Sequence, residues 1–422
     1  MIQTPMNQKS ENQEFIVIGS GIIGMSCALA LQKEGFQVNV VDREPPGSSC
    51  SFGNAGAISP SSALPNSLPG VMSKVPGWLL REEGPLIIQW QYFPKLFPWL
   101  LRFLHSAKWE KVDETTSSLL DLHASCFRLY QNLAKEIESE DLIVESPVIH
   151  LYTNEEDFQH SLIYWKILKN KGVEYEELQK DQVREMEPNL SQDYGFGVLF
   201  QDSGFSSNPF RLLGKISEQF QKDGGRLTTG SVQSIKAQGG GKIVLKMEGQ
   251  EIQSDQVLVA AGAWSHQLAS QLGVFIPLET ERGYHVTLNS TEGGPTNIVM
   301  ESKHKFMATP MEMGVRFAGT AEFAGLNSPA NDARAKTLLK LGKMMYPNLE
   351  KGESSEWMGH RPSLPDSRPV IDFCPGNKKI IFAFGHGHRG LIGAPMTAQL
   401  VAEMASGRQT SIDISAFKAS RF

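Results

Sequence analysis

The chain has 422 residues carrying 40 Lys and Arg against 46 Asp and Glu, a formal net charge of −6; at roughly 100–200 residues per domain, that length suggests two or three domains or one large interleaved unit. A composition 40% hydrophobic and 20% charged argues against long disorder, and the mild acidity offers no basic face to a nucleic acid. Four scattered cysteines without a CxxC pair exclude a disulfide framework, and no run of about 18 apolar residues is there to span a bilayer.

Residues 1–13 are polar and lack the basic-then-apolar plan of a secretion signal, so they read as a flexible leader of a cytoplasmic protein. Phe15-Ile16-Val17-Ile18 is an apolar run suited to a strand buried on both faces. It enters Gly19-Ser20-Gly21-Ile22-Ile23-Gly24, then a helical apolar pattern (Met25, Ala28, Leu29, Leu31) that stops at Gly35. A second apolar strand follows and ends at Asp42. Gly19 permits the tight turn, Gly21 a close approach of pyrophosphate, and Gly24 close packing of helix on strand. The helix N-terminus offers amides to phosphate, and Asp42 can accept from the ribose hydroxyls of an adenosine. That unit predicts dinucleotide binding without separating NAD from FAD.

Residues 43–56 are dense in small and hydroxyl side chains, suited to a backbone threading under an extended cofactor; a solvated loop has the same composition. Residues 86–104 are rich in Trp and Phe but interrupted by Pro94, Lys95 and Pro98. They read as the wall of a domain packed on its own core, with a peripheral membrane contact as the alternative. Helical spacing runs over 115–138, and Asn208 with Pro209 marks a helix start. A turn and strand are expected over 224–232, with 243–247 and 251–252 as a hairpin partner. A buried strand then ends in Ala260-Ala261-Gly262-Ala263-Trp264-Ser265, and further strands are expected over 281–288, 305–308 and 315–319. A last strand, 379–384, runs into Gly385-His386-Gly387-His388-Arg389-Gly390-Leu391-Ile392-Gly393 and a helical pattern. This second glycine-rich strand-to-helix turn can aim backbone amides at an electron-rich ring.

These pieces together resemble the D-amino-acid oxidase superfamily of flavoproteins, most closely the bacterial D-amino-acid dehydrogenases. The matching pieces span Glu14 to about Ala405. They are the opening glycine turn, Ser49…Asn54-Ala55-Gly56, the Ala260 to Ser265 piece, Glu281-Arg282-Gly283-Tyr284-His285, Gly359-His360-Arg361-Pro362 on to Pro369-Val370-Ile371, and Gly385-His386-Gly387-His388 with Gly390. Departures are Asp42 for the more usual glutamate, Gly53 for a bulkier residue, Arg389 and Ile392 for an aliphatic residue and a threonine, and Asp372 for a glycine. Those in the last loop bear on substrate rather than on cofactor.

The resemblance implies an α/β fold. A Rossmann-type FAD-binding domain is expected over 14–85, 189–275 and 355–422, and an interleaved α+β substrate-binding domain, built on an antiparallel sheet, over 86–188 and 276–354. It implies FAD held by Gly19, Gly21, Ile22, Ile23, Gly24, Asp42, Arg43, Ser49, Asn54, Ala55, Gly56, Val232, Ala261, Gly262, Trp264, Gly387, Gly390, Leu391 and Ile392.

An amino-acid substrate presents a carboxylate, which calls for the planar fork of an arginine. Arg361 sits where the family places that arginine. Tyr284 is the candidate for a second hydrogen bond, and His388 for the substrate face of the flavin; Arg389 points to solvent or adds a carboxylate contact. The HxH spacing of His386 and His388 has no third ligand clustered with it, so no metal is expected. The resemblance implies oxidation of a D-amino acid, or of a cyclic imino acid such as D-proline or a hydroxyproline, by hydride transfer from Cα to flavin N5. Electrons then pass to a quinone or another acceptor. Orientation at near-attack distance needs no side-chain base, and the need for a neutral amine predicts an alkaline optimum unless the site lowers the amine pKa. The alternatives are a glycine or sarcosine type of oxidase using O2, a flavin-binding protein without turnover, and an NAD-dependent dehydrogenase.

Overall fold

The computed structural model describes residues 13–81, 83–237 and 241–422; apart from Gln13, the expected leader lies outside them. The main elements begin with β1 (Glu14–Ile18), α1 (Ile22–Lys33) and β2 (Gln37–Asp42). The chain then runs through α2 (Val71–Leu79), β3 (Leu86–Ile88), α3 (Phe93–Ser106), α4 (Trp109–His123), α5 (Cys126–Glu136), β4 (Val148–Tyr152), α6 (Glu155–Lys169), β5 (Glu176–Gln179) and β6 (Phe196–Phe200). It returns by α7 (Pro209–Lys222), β7 (Arg226–Thr229) and β8 (Gln256–Val259). A second excursion holds β9 (Glu279–Leu288), β10 (Ile298–Glu301), β11 (Phe306–Met311), β12 (Gly314–Phe323), α8 (Asp332–Met345) and β13 (Ser354–Ser363). The last elements are β14 (Val370–Cys374), β15 (Asn377–Phe384) and α9 (Gly390–Ala405).

The first sheet has the order β7-β2-β1-β8-β15-β14, with parallel neighbours throughout except the antiparallel β14. β1 lies inside it, which is why its run Phe15 to Ile18 is apolar on both faces. The chain winds from β1 outward to β2 and β7 on one side, and through β8 to β15 on the other. The carboxyl ends of β1, β2, β8 and β15 therefore meet at a reversal of strand order, where open α/β sheets bind ligands. Gly19 holds φ at +111°, and a Cβ on Gly24 would lie 1.8 Å from the Gly19 carbonyl oxygen, so this helix can start here only with a glycine at both places.

The second sheet has nine strands, in the order β13-β9-β12-β11-β10-β4-β6-β5 with β3 beside β12. It is antiparallel except where β10 meets β4 and β12 meets β3. β6 and β13 belong to it, on the far side of the boundaries expected at 189 and 355. Pairing with β4 and β9 recruits them, and those partners are remote in sequence. The helical stretch expected over 115–138 is two helices, broken at Ala124 and Ser125. The strand expected up to 232 is also two pieces: β7 joins the parallel sheet, while Val232–Ala237 pairs with Ile243–Met247 in a separate three-stranded sheet. α3 buries Leu96 and Trp99 and exposes Phe97, Leu101 and Leu104. Among the described residues no helix is long and apolar enough to cross a membrane.

Candidate active site

A cavity of about 2140 Å³ runs from the carboxyl ends of the first sheet to the face of the second. That is about twice the upper size for a single ligand site. Ile18, Asp42, Ala260 and Phe384, at the ends of β1, β2, β8 and β15, all open into it. So do Gly19, Gly21, Ile22 and Ile23 at the start of α1, and Gly387, Gly390, Leu391 and Ile392 at the start of α9. Two helix N-termini thus border one space, each with amides that lack an intrahelical acceptor. The Asp42 carboxylate is fixed at its rim by Ser20 N (2.6 Å), Ser20 Oγ (2.9 Å) and Glu44 N (3.1 Å), all donating to it. Arg43 lies over the Trp264 ring at 3.9 Å, and both line the cavity with Ser49, Asn54, Ala55, Val232, Ala261 and Gly262.

Two residues expected at the cofactor do not line this space. Gly24 faces the Gly19 carbonyl, and Gly56, at φ +81°, faces the Ser206 carbonyl, where a Cβ would come within 2.6 Å. Both are glycines because backbone approaches backbone there.

The opposite wall is set by strand parity. Successive side chains of a strand point to opposite faces, so Glu281, Gly283 and His285 of β9 share one face while Arg282 and Tyr284 share the other. Tyr284 therefore turns away from the cavity. It is buried behind the sheet, where its hydroxyl donates to Glu322 and accepts from Asn331 N, beside buried Arg282.

Arg361 of β13 is directly across from Glu281. Its Nη1 donates to Glu281 Oε1 (3.0 Å) and to the Thr320 carbonyl (2.9 Å), and Nη2 donates to the Gly319 carbonyl (3.3 Å). Ser363 Oγ donates to the other Glu281 oxygen at 3.0 Å. Among the described residues, Nε–H and one Nη2 proton of Arg361 are left without a protein partner, and those two donors form the side-on fork that a carboxylate takes. Sequence reasoning missed Glu281, although its parity with Gly283 placed it on the Arg361 face.

His388 is accessible from the cavity yet enclosed by protein; burial, then Arg389, Arg361 and His123, hold its pKa well below the ordinary histidine value. His386 also borders the cavity, with its Nε2 held at 3.0 Å from Thr397 Oγ1. Arg389 does not face solvent and does not line the cavity. It is buried, donating to the carbonyls of Ser62 (2.7 Å) and Leu64 (2.6 Å) and to Asn66 (3.0 Å). His360 bonds to Thr280 Oγ1 through Nδ1 (2.9 Å), and burial with Arg282 and Arg43 nearby pushes its pKa down to about 4.

Trp357, which the sequence reading also missed, lines the cavity two residues before Gly359. A Cβ on Gly53 would lie 2.0 Å from its ring, and one on Gly359 2.1 Å. The ring stacks on His285 with centroids 5.1 Å apart. The departure at Gly53 thus makes room for an indole from the other sheet.

A family model described as FAD dependent oxidoreductase, DAO, matches residues 14–404. The chain belongs to the DAO family of FAD-dependent oxidoreductases. It is 36% identical over 419 residues to a protein named D-amino-acid oxidase from Bradyrhizobium diazoefficiens, covering 98% of this chain and 99% of that one. It is 30% identical to a protein named D-amino acid dehydrogenase from Dechloromonas aromatica, covering 93% and 97%. A crystal structure of glycine oxidase from Geobacillus kaustophilus shares the fold, with a TM-score of 0.75 at 21% identity over 98% of this chain and 99% of that one. As a DAO-family enzyme the protein uses FAD, and the paired helix N-termini with the glycine turn at Gly19 and Gly21 suit a pyrophosphate.

Proposed function

We propose that the enzyme oxidises a D-amino acid, or a cyclic D-imino acid, and hands the electrons to a diffusible acceptor. The observation that carries this reading is the open fork of Arg361 in a cavity continuous with the cofactor cradle. The names of the two relatives above support an amino acid of the D series. The flavin cradle is assigned to the cavity-lining residues of the two glycine turns, with Asp42 at the ribose and Ser49, Asn54, Ala55, Val232 and Trp264 along the cofactor.

Bound FAD supplies the two-electron oxidant. The chain's own groups bind and aim the substrate. Nε and Nη2 of Arg361 take the carboxylate bidentately, which fixes the α-carbon in one orientation and saves the entropy of finding it. Glu281 cancels the charge of Arg361, and Arg389, near enough to feel Glu281, adds a positive charge that compensates the bound carboxylate. A neutral His388 adds no charge against the substrate amine. The amine must shed its proton before reaction, so activity is expected to rise toward alkaline pH. Trp78, Phe93, Phe97 and Leu101 of α2 and α3 carry the cavity to the surface, which supports an apolar acceptor such as a quinone. The exposed Trp90, Phe97 and Leu101 support a peripheral contact with a lipid surface, where such an acceptor dissolves.

The test is the visible spectrum of the enzyme under argon during titration with D- and L-amino acids, their amides, and D-proline. D-acids should bleach it, while their amides, lacking the carboxylate, should not at the same concentration. Equal bleaching by acid and amide would refute the reading. Repeating the turnover in air with peroxide detection, and then with a soluble quinone, separates oxygen from quinone as acceptor.

A further inference from the structure

β12 carries one residue too many opposite β9. Tyr284 pairs with Gly319 and Arg282 with Glu322, so Gly283 alone faces both Thr320 and Ala321. The extra residue sits at φ +58° at Thr320. A bulge of this hand usually recruits glycine, and a β-branched residue in the left-handed region is an outlier. The side chain does not offset the strain, because among the described residues Thr320 Oγ1 is buried without a hydrogen-bond partner. Such outliers persist where the surrounding structure over-determines them, and they cluster at functional sites.

The bulge touches one functional group. In a regular strand, successive carbonyls point to opposite edges; here the carbonyls of Gly319 and Thr320 both accept from the Arg361 guanidinium. To reach them Arg361 must cross from β13 over β9, the strand between. It crosses at Gly283, where a Cβ would lie 2.2 Å from Arg361 Cζ and Nη2. We propose that the Thr320 bulge and Gly283 form a positioning device that holds the Arg361 guanidinium in one place, so that its free donors face the substrate carboxylate. The strain at Thr320 is the stability cost of that aim. This rests on the carboxylate role given to Arg361 above.

The device is tested in the FAD-loaded enzyme with Gly283→Ala, a deletion of Thr320, Thr320→Gly and Arg361→Lys. FAD content and Tm are followed alongside kcat and KM for the D-amino acid that best bleaches the wild type. Gly283→Ala is expected to raise KM at least about tenfold, equivalent to ~1.4 kcal/mol of carboxylate binding, with kcat much less affected and FAD content native. The deletion should move KM the same way; if it does not fold, Gly283→Ala decides alone. Thr320→Gly should raise Tm by on the order of 2 °C, because glycine adopts the left-handed conformer without strain. A native KM in Gly283→Ala, or a lower Tm in Thr320→Gly, overturns the proposal. A native KM in Arg361→Lys overturns the carboxylate reading beneath it; loss in Arg361→Lys with none in Gly283→Ala overturns the positioning role alone.

Discussion

The carboxyl ends of the first sheet and the face of the second close one cavity by opposite means. The first is made of backbone: glycines at Gly19 and Gly21, two helix N-termini, and a carboxylate pinned by amides. The second is made of side chains, among them Arg361, Glu281, Ser363 and Trp357, brought together from strands far apart in the chain. A wall of backbone is intolerant of any added atom, whereas a wall of side chains is sensitive to which partner is removed.

That contrast can be broken by substitution. The largest effect is expected at Gly24, where an added Cβ would lie 1.8 Å from the Gly19 carbonyl oxygen and no flexible side chain can yield. Gly24→Val should cost more than about 4 kcal/mol and leave protein with little flavin, read as visible absorbance per polypeptide and urea midpoint. A yellow protein of native stability would remove the distinction between the two walls.

Next comes Glu281→Ala, which strands a largely buried guanidinium: the side chains of Arg361 and Glu281 are 20% and 10% exposed. Breaking such a pair costs about 3–5 kcal/mol, so the urea midpoint should fall while FAD stays bound. A loss below about 1 kcal/mol would show that Arg361 finds solvent once released.

One histidine from each region sharpens the comparison by pH. Burial holds His386, in the loop after β15, and His285, on β9, at about 3, against about 6.5 in an unfolded chain. Between those values the unfolded chain binds protons that the fold refuses. Their contribution is therefore complete above about pH 6.5 and is lost as pH falls, by about 1.4 kcal/mol per pH unit for each imidazole. His386→Gln should remove one proton's share of that slope in denaturation curves between pH 7 and 5. An unchanged slope would mean that the imidazole charges inside the fold.

The smallest effect is expected where the two walls touch. Gly53→Ala should destabilise by about 1–3 kcal/mol through its clash with the Trp357 ring, and Trp357→Leu in the same chain should restore part of it. Additive losses in the double-mutant cycle would show that the two residues do not share the space.

The two walls are unequally legible in the sequence. The opening strand, turn, helix and second strand are contiguous, so spacing alone placed Gly19, Gly21 and Asp42 where they line the cavity. The motif around Arg361 singles out a residue that lines the cavity, whereas in the five-residue piece Glu281 to His285 it is Glu281, not Tyr284, that faces it. Parity from Gly283 would have separated them. Trp357 left only an indirect mark, the small residue at Gly53, because an indole needs its room made by a residue some three hundred positions away.

By itself the sequence determined the dinucleotide cradle, since that device is built within one short stretch whose glycines and acidic strand end are dictated by local sterics and the helix dipole. Only the tertiary structure decided what the second sheet presents to the cavity. Which side of β9 lines the cavity, which carbonyls hold Arg361, and where Arg389 points all depend on strand pairing and a bulge between segments distant in the chain, and no local spacing encodes them.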